Sequence, residues 1–472
     1  MNAILTMSSF IFPLITFPYV SRILLPEGTG KVSFATSVIA YFALFAQLGI
    51  PTYGIRACAK VRDDHIELSR TVQEIFIINA VMTVLTYIVF FFALAYIPRL
   101  QADKSLFIIV STTLFFNAIG MDWLYKALEK YTYITLTSIL FKLIALIAMF
   151  VLIHQKSDYI IYGGISIFAA SASNVCNFFN IHHYIETRPV KHYSFQRHME
   201  PILIFFAMSC ATTIYTNLDT VMLGFMKTDM DVGYYNAAIK IKNVLLGVVT
   251  SLGTVLLPRA SYYIEHQEIE AFRNITKKAI NFAFLISMPL MTYFILFAHE
   301  SILFLSGEAY ENAVLPMQII MPTLVLIGLT NIMGIQILVP LGQEKVVLYS
   351  EIAGAIIDLL LNVLLIPSMA SSGAAIGTLV AECMVFLVQF IFLQKDIINA
   401  YKQIQYITIL VAILVSAVIA IGIKKLTLGN FYSLLLSAFL FFGIYVIILS
   451  LCKESLVWEI EQQLLKKFNI RK

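Results

Sequence analysis

The sequence predicts an all-α integral membrane protein, and three observations carry that prediction. Of its 472 residues 60% are hydrophobic and only 13% charged, against roughly 45–50% and about 25% in soluble globular chains. Apolar runs of about 20 residues, each enough for a helix to cross roughly 30 Å of hydrocarbon, recur from end to end. Helices and closed barrels are the structures that satisfy the backbone in lipid, and the ten-residue alternation of a barrel is absent. A mean hydropathy of +0.85 agrees.

About fourteen spans follow in order. The first, Ile4–Leu24, contains Pro13 and Pro18; each proline removes a backbone hydrogen bond and bends the helix, so the pair are candidate gating residues. This run carries straight on as a span with no small-residue cleavage site, so no cleavable signal peptide is expected. The second, Val32–Tyr53, has Gly30 at its start and Pro51 near its end. Val72–Ile97, Ser105–Leu124, Tyr133–Ile153 and Tyr159–Ile181 complete a first set of six. The second set is Pro201–Phe225, Val232–Leu257, Ala279–Ala298, Val314–Leu341, Val346–Ile366 and Gly373–Leu393. Pro340 ends the fourth of these, and Gly373 with Gly377 has the spacing that lets helices approach closely. Ile404–Ile423 and Phe431–Leu451 stand outside both sets. The expected organisation is therefore residues 1–199 and 200–400 as two six-helix lobes, and 401–472 as two further helices with a basic tail.

Loop charge orients the chain. Loops after even-numbered spans, with the tail, hold about 21 of the 32 Lys and Arg, and loops after odd-numbered spans about 8. Both termini are expected on the cytoplasmic side; the tail contributes Lys453, Lys466, Lys467, Arg471 and Lys472. The two lobes also align. Arg56 follows Gly30 at the spacing by which Arg259 follows Gly233, and Pro51 and Pro258 end the corresponding spans. An even number of spans per lobe makes this a parallel repeat about an axis along the membrane normal, a symmetry of secondary transporters.

Charged side chains inside spans are costly and face protein or water. Arg22 lies at the outer end of span one, Arg56 at the inner end of span two, Asp219 inside span seven, and Lys240 and Lys242 inside span eight. The functional reading is a cavity that is cationic overall and suited to an anionic head group such as a pyrophosphate. The bland reading is that Asp219 neutralises a lysine and the arginines snorkel to the interface. Lys240 and Lys242 point to different faces, since two residues turn a helix by roughly 200°. A second set is Asp122, Lys126, Lys142, Glu351, Asp358 and Glu382. Asp358 and Glu382 lie deepest and are candidates for coupling a proton or sodium ion, with helix packing as the alternative. The five cysteines lack paired or metal-ligand spacing and read as small apolar residues. No phosphate-binding loop, metal-spaced histidine cluster or hydrolase nucleophile motif is present, so no enzymatic activity, cofactor or nucleic-acid partner is expected.

Several segments resemble one family. They are Phe12-Pro13-Leu14-Ile15-Thr16-Phe17-Pro18-Tyr19-Val20-Ser21-Arg22 with Pro26-Glu27-Gly28, and Phe45-Ala46-Gln47-Leu48-Gly49-Ile50 running into Tyr53-Gly54-Ile55-Arg56. Asn217-Leu218-Asp219-Thr220-Val221-Met222-Leu223-Gly224, Gly233-Tyr234-Tyr235-Asn236-Ala237-Ala238, Leu257-Pro258-Arg259 and Gly373-Ala374-Ala375-Ile376-Gly377 complete the set. Together, over nearly the whole chain, they resemble the Wzx-type polysaccharide-unit flippases of the multidrug/oligosaccharidyl-lipid/polysaccharide exporter superfamily. The resemblance implies two six-helix lobes around a central cavity, alternating access, and an undecaprenyl-pyrophosphate-linked oligosaccharide flipped from the inner to the outer leaflet. It implies Arg22, Arg56 and Lys240 as cavity cations, with Arg259 as the repeat counterpart of Arg56. Lipids and the polymerase and other proteins of polysaccharide assembly would be its partners, and the bacterial cytoplasmic membrane its place. The alternatives are a cation-coupled drug exporter of the same superfamily, which would carry first-lobe carboxylates, and a membrane polymerase or ligase, which would need a larger catalytic outer loop.

Overall fold

The computed structural model describes residues 2–190, 192–251, 253–402, 404–426 and 429–469, and the side chains of these except 2–7, 9–11, 253–255, 395–400, 425 and 464–469. Arg471 and Lys472 of the basic tail lie outside the described residues, as do the side chains of Lys466 and Lys467. Among the described residues the regular structure is helix, with no strand. The chain folds as two compact units, Met1–Asn236 and Ala237–Lys472.

The first unit contains α1 (Asn2–Gln47), α2 (Ile50–Lys60), α3 (His65–Tyr96), α4 (Pro98–Gln101), α5 (Lys104–Gly120), α6 (Asp122–Ala127), α7 (Tyr131–Leu152), α8 (Tyr159–Ser171), α9 (Ser173–Asn180), α10 (Gln196–Met226) and the start of α11 (Asp229–Thr250). The second continues with α12 (Gly253–Glu265), α13 (Ile269–Leu296), α14 (Ala298–Ser306), α15 (Val314–Ile320), α16 (Thr323–Asn331), α17 (Glu344–Lys402), α18 (Tyr406–Ile421), α19 (Asn430–Leu451) and α20 (Ser455–Asn469). Helix occupies most of every range read from the sequence. By length and composition, though, nine stretches qualify as spans among the described residues, or ten with the bent pair Glu308–Ile320 and Thr323–Leu338. Two of the missing spans have a backbone cause, and the count of fourteen is not reached. Phe12–Lys60 and Glu344–Gln394 each count once, yet α1 leaves helical conformation at Leu25 (φ 60°, ψ 178°) and α17 at Ala370 (φ 48°, ψ −126°). Leu25 precedes Pro26, whose ring disfavours a helical neighbour. Through Pro13 and Pro18 the helical conformation continues.

The distribution of side chains on α3 identifies the solvent. Its buried face carries Thr71, Glu74, Asn79, Thr83 and Thr86, while Val81, Val84, Leu85, Ile88, Val89 and Phe92 are exposed. A helix in water does the reverse. Polar groups satisfied inside and aliphatic groups outside are what hydrocarbon requires. Asn79 accordingly donates to the Ala46 carbonyl at 2.9 Å. The chain is a multi-pass membrane protein.

Helix directions in the first unit follow from side-chain pairings. Lys142 reaches Ser8 and Tyr19 reaches the Ile153 carbonyl, so the first arm of α1 and α7 run parallel. Phe34 meets Phe225, and Phe45 meets Phe206, so the second arm of α1 runs antiparallel to α10. One end of the unit thus gathers residues 47–74, 120–131 and 174–198; the other gathers 22–34, 96–107, 153–163 and 224–235. The first end carries Arg56 and the second Arg22. In the second unit α19 and the residue before α20 dock on α13: Tyr293 donates to the Leu434 carbonyl at 2.9 Å, Tyr445 to that of Leu285 at 3.0 Å, and Asn281 to buried Glu454 at 2.7 Å.

Candidate functional site

The expected cavity residues occupy distinct settings. Asp219 is buried on α10 and accepts a hydrogen bond from the hydroxyl of buried Tyr235 on α11. Arg22 is exposed and curls back along its own helix to the Pro18 carbonyl. Arg56 is exposed on α2, at the opposite end of the first unit from Arg22. Lys240 is half-buried and Lys242 buried on α11, both in the second unit, and Arg259 is exposed on α12. Within the first unit, then, the structure pairs Asp219 with Tyr235 and separates the two arginines.

Asp358 and Glu382 are buried on the two arms of α17. A Cβ built on Gly377 would stand 2.9 Å from Asp358 Oδ1 and 2.6 Å from Asn362 Oδ1, and one on Gly373 2.6 Å from the Leu365 carbonyl oxygen. Residues 358 and 377 would be about 28 Å apart along a straight helix, so α17 is a hairpin. The glycine pair lets its arms touch with Asp358 between them. Of the cysteines, Cys58 is buried and Cys452 exposed.

Two networks were not anticipated. At the Arg22 end of the first unit Lys31 lies 3.1 Å from Glu27 and 3.9 Å from Asp103; Tyr159 donates to Asp103 at 2.9 Å. Arg99 pairs with Asp229, donates to the Gly224 carbonyl at 2.7 Å, and lies over the Phe34 ring. The backbone closes up beside these pairs. A Cβ on Gly30 would stand 1.8 Å from the Asp229 oxygen, and one on Gly233 2.1 Å from the Pro26 oxygen. The approach is reciprocal: the two glycines that open the aligned spans each face the other's segment.

At the Arg56 end Glu74 is fully buried on α3. Its carboxylate accepts from Arg197 Nε at 2.9 Å and Nη2 at 2.6 Å, from His198 Nε2 at 2.7 Å and from the Ser194 backbone. A carboxylate only accepts, so Nε2 carries a ring proton; Nδ1 lies 2.6 Å from the Tyr53 hydroxyl, which donates to a bare Nδ1 or accepts from a protonated one. Arg197 also meets Glu67, which pairs with Arg70 at 2.6 Å. Gln73 ties down the segment before α10. It donates to the Glu186 and Arg188 carbonyls at 2.8 Å and accepts from Tyr193 at 2.7 Å. One signal was available: Glu74 is a carboxylate inside the range read as span three, and such residues are seldom idle.

The residues 1–264 match the model of the family described as polysaccharide biosynthesis protein, and 205–364 that described as MatE. A protein of Escherichia coli (strain K12) that carries the provisional name of O-antigen transporter is 26% identical over 84% of this chain and 95% of its own. One of Shigella dysenteriae with the same provisional name is 25% identical over 80% and 95%. Among solved structures, the lipid II flippase MurJ in an inward closed conformation superposes with a TM-score of 0.76 at 15% identity, over 95% of this chain and 98% of that one. An inward-facing multidrug resistance MATE family transporter of the MOP superfamily gives 0.63 at 13%, over 83% and 95%. The solved structures share the all-helical membrane fold, and the relatives are transporters rather than enzymes. The chain belongs to the polysaccharide biosynthesis protein family.

Proposed function

We propose that the protein flips undecaprenyl-pyrophosphate-linked oligosaccharide units from the inner to the outer leaflet of a bacterial cytoplasmic membrane, by alternating access, for O-antigen or capsule-type polysaccharide synthesis. The observation that carries this reading is the family match over residues 1–264, together with relatives named for O-antigen transport that align over nearly their whole length. The chemistry agrees: a pyrophosphate carries charge that cations neutralise, and Arg22, Arg56, Lys240 and Arg259, with Asp219 ordering its neighbours, are the side chains assigned to it. Asp358 and Glu382 are assigned to coupling a proton or sodium ion, and Pro13 and Pro18 to bending the first arm of α1. Residues 1–199 and 200–400 are the halves that alternate, 401–472 is an addition to them, and both termini are cytoplasmic. The assembly polymerase is the expected functional partner.

A deletion strain tests this. Its extracted lipids should accumulate single undecaprenyl-linked repeat units on the inner leaflet, cured by the gene. Units on the outer leaflet would move the role to polymerisation or transfer. No accumulation with raised drug sensitivity would favour drug export, the reading to which the fold likeness to the multidrug transporter lends support. In the complemented strain Asp219→Ala, Arg56→Ala and Lys240→Ala should each lower export at least about tenfold, a loss of roughly 1.4 kcal/mol in transition-state stabilisation, with the protein still in the membrane. Normal export by all three would remove the cavity assignment.

A further inference from the structure

We propose that α20 lies flat in the headgroup layer of the bilayer at the end of α19 and holds acidic phospholipid there, with Lys453 and Trp458 as the contact. This surface is separate from the residues assigned to the pyrophosphate, and the proposal does not depend on the flippase reading. The sequence of α20 has two sides. Apolar residues recur at Leu456, Val457, Ile460, Leu464, Leu465 and Phe468, and polar ones at Glu459, Gln462, Gln463 and Lys466. The first spacing is that of one helix stripe, and the second that of the opposite face. A helix of 15 residues is about 22 Å long, too short to cross roughly 30 Å of hydrocarbon. Amphipathic helices of this kind settle at the boundary of headgroups and acyl chains.

Its contacts fix its level. Buried Glu454 caps the first turn, accepting from the Leu456 and Val457 backbone at 3.0 Å, and also accepts from Asn281 at 2.7 Å. Glu459 meets Lys278 at 2.6 Å. Lys278 and Asn281 flank Ala279, where the apolar part of α13 begins after Arg273, Lys277 and Lys278. Ser450, at the end of α19, donates to Glu461. So α20 is tied to the ends of two apolar spans. In a straight continuation of α19, residues 450 and 461 would stand about 16 Å apart; their contact means that the chain turns across the end of α19. Leu456 and Val457 pack on the buried cluster to which α13, α18 and α19 contribute, while Trp458 and Ile460 remain exposed. Bilayer interfaces favour tryptophan at this level.

The charges sort the same way. Glu454, Glu459 and Glu461 are each engaged by a protein partner, so the cations are what the helix offers to a ligand. Lys453 lies over the Trp458 ring, 5.0 Å from its centroid, and among the described residues no carboxylate pairs with it. Lys466 and Lys467 follow in the sequence of the same helix. Basic residues beside a span attract the phosphates of acidic lipids, and the indole beside Lys453 suits the layer just below those phosphates. An acidic soluble protein would meet the same lysines, but a helix tied down at the ends of two spans presents its indole and Ile460 to lipid first.

Fluorescence and hydrogen exchange of the full chain in liposomes test this. Trp458 is one of 2 tryptophans, and the other, Trp123, is buried. The emission of the unaltered protein less that of Trp458→Phe therefore isolates Trp458. In phosphatidylcholine liposomes, bromination of the acyl chains close to the carbonyl should lower that difference at least about twofold, and bromination at mid-chain should lower it less. An unchanged difference would give α20 to a soluble partner, and a stronger effect of the mid-chain bromines would sink it into the hydrocarbon; either overturns the proposal. Replacing about a third of the lipid by phosphatidylglycerol should slow exchange of amides 455–463, corrected for intrinsic rates, at least about threefold. The triple variant Lys453→Gln, Lys466→Gln, Lys467→Gln should lose that gain. No slowing in the unaltered protein, or equal slowing in the triple variant, overturns the assignment to acidic lipid. Inorganic phosphate added to liposomes of phosphatidylcholine alone should not reproduce the slowing; if it does, the lysines take free phosphate and the lipid assignment falls.

Discussion

Replacing Gly30 with alanine is expected to cost about 2–3 kcal/mol of stability, at the upper end of what overpacking causes, and to abolish complementation of a deletion strain. The added methyl would lie 1.8 Å from the Asp229 carbonyl oxygen, 2.8 Å from its carbon and 2.9 Å from the Gly233 nitrogen. Non-bonded carbon atoms settle at about 3.5–4.0 Å. All three atoms are backbone, so no rotamer change gives way, and the two segments must part by more than an ångström. Asp229 is also the partner of Arg99, so that movement pulls on the ion network of Arg99, Asp103 and Lys31. Gly233→Ala should behave alike because its methyl meets the Pro26 backbone. Gly443, on α19 with nothing within 4 Å of its would-be Cβ, is the control: alanine there should be neutral or gain about 0.5–1 kcal/mol, since glycine is the poorer helix residue. Thermal unfolding in nanodiscs measures all three. A Gly30→Ala protein that melts within about a degree of the unaltered one would show that the segments are not packed as described.

The repeat spacing made Gly30 and Gly233 legible as equivalent positions, and the structure adds what spacing does not contain, that equivalent glycines touch each other's segments. The same division runs through the molecule. Apolar run length depends on local sequence alone, so helix lies over every range read, and both long hairpin-forming stretches were divided at the correct places, near Leu25 and Ala370. The membrane-facing character of α3 was legible from composition, and the spacing of Asn79, Thr83 and Thr86 puts them on one helix face, but that this face is the buried one follows from its packing, as in the bond from Asn79 to the Ala46 carbonyl. Asp358 was legible as a deep carboxylate; its place against Gly377 depends on the hairpin. Glu74 was the largest omission. A sequence shows a carboxylate near the start of a span, yet its donors come from Ser194, Arg197 and His198, some 120 residues on. Without them Glu74 reads as an interfacial residue. Arg197 and His198 likewise read as the end of a loop, when they begin a helix and close a buried network.

Glu74→Ala is expected to be the most damaging single change at the Arg56 end of the first unit. It removes one acceptor group and strands four donors: two from Arg197, one from His198 and the Ser194 backbone. Breaking a buried ion pair from one side costs about 3–5 kcal/mol, because the remaining charge stays desolvated. Here Arg197 keeps Glu67 as a second partner and is partly exposed, which places the expected loss near the lower figure, about 3 kcal/mol. Glu74→Gln should fall between, since one oxygen still accepts while the new amide group turns donors toward donors. The loss should also be local before it is global. The segment 186–198 is held by Gln73, Ser69 and Glu74 together, and removing the strongest of these should open it. Limited trypsin digestion reads this directly: Glu74→Ala should be cut after Arg197 under conditions in which the unaltered protein is not. If the variant resists cleavage as the unaltered protein does, the carboxylate is not what holds the segment, and the hydrogen bonds of Gln73 suffice.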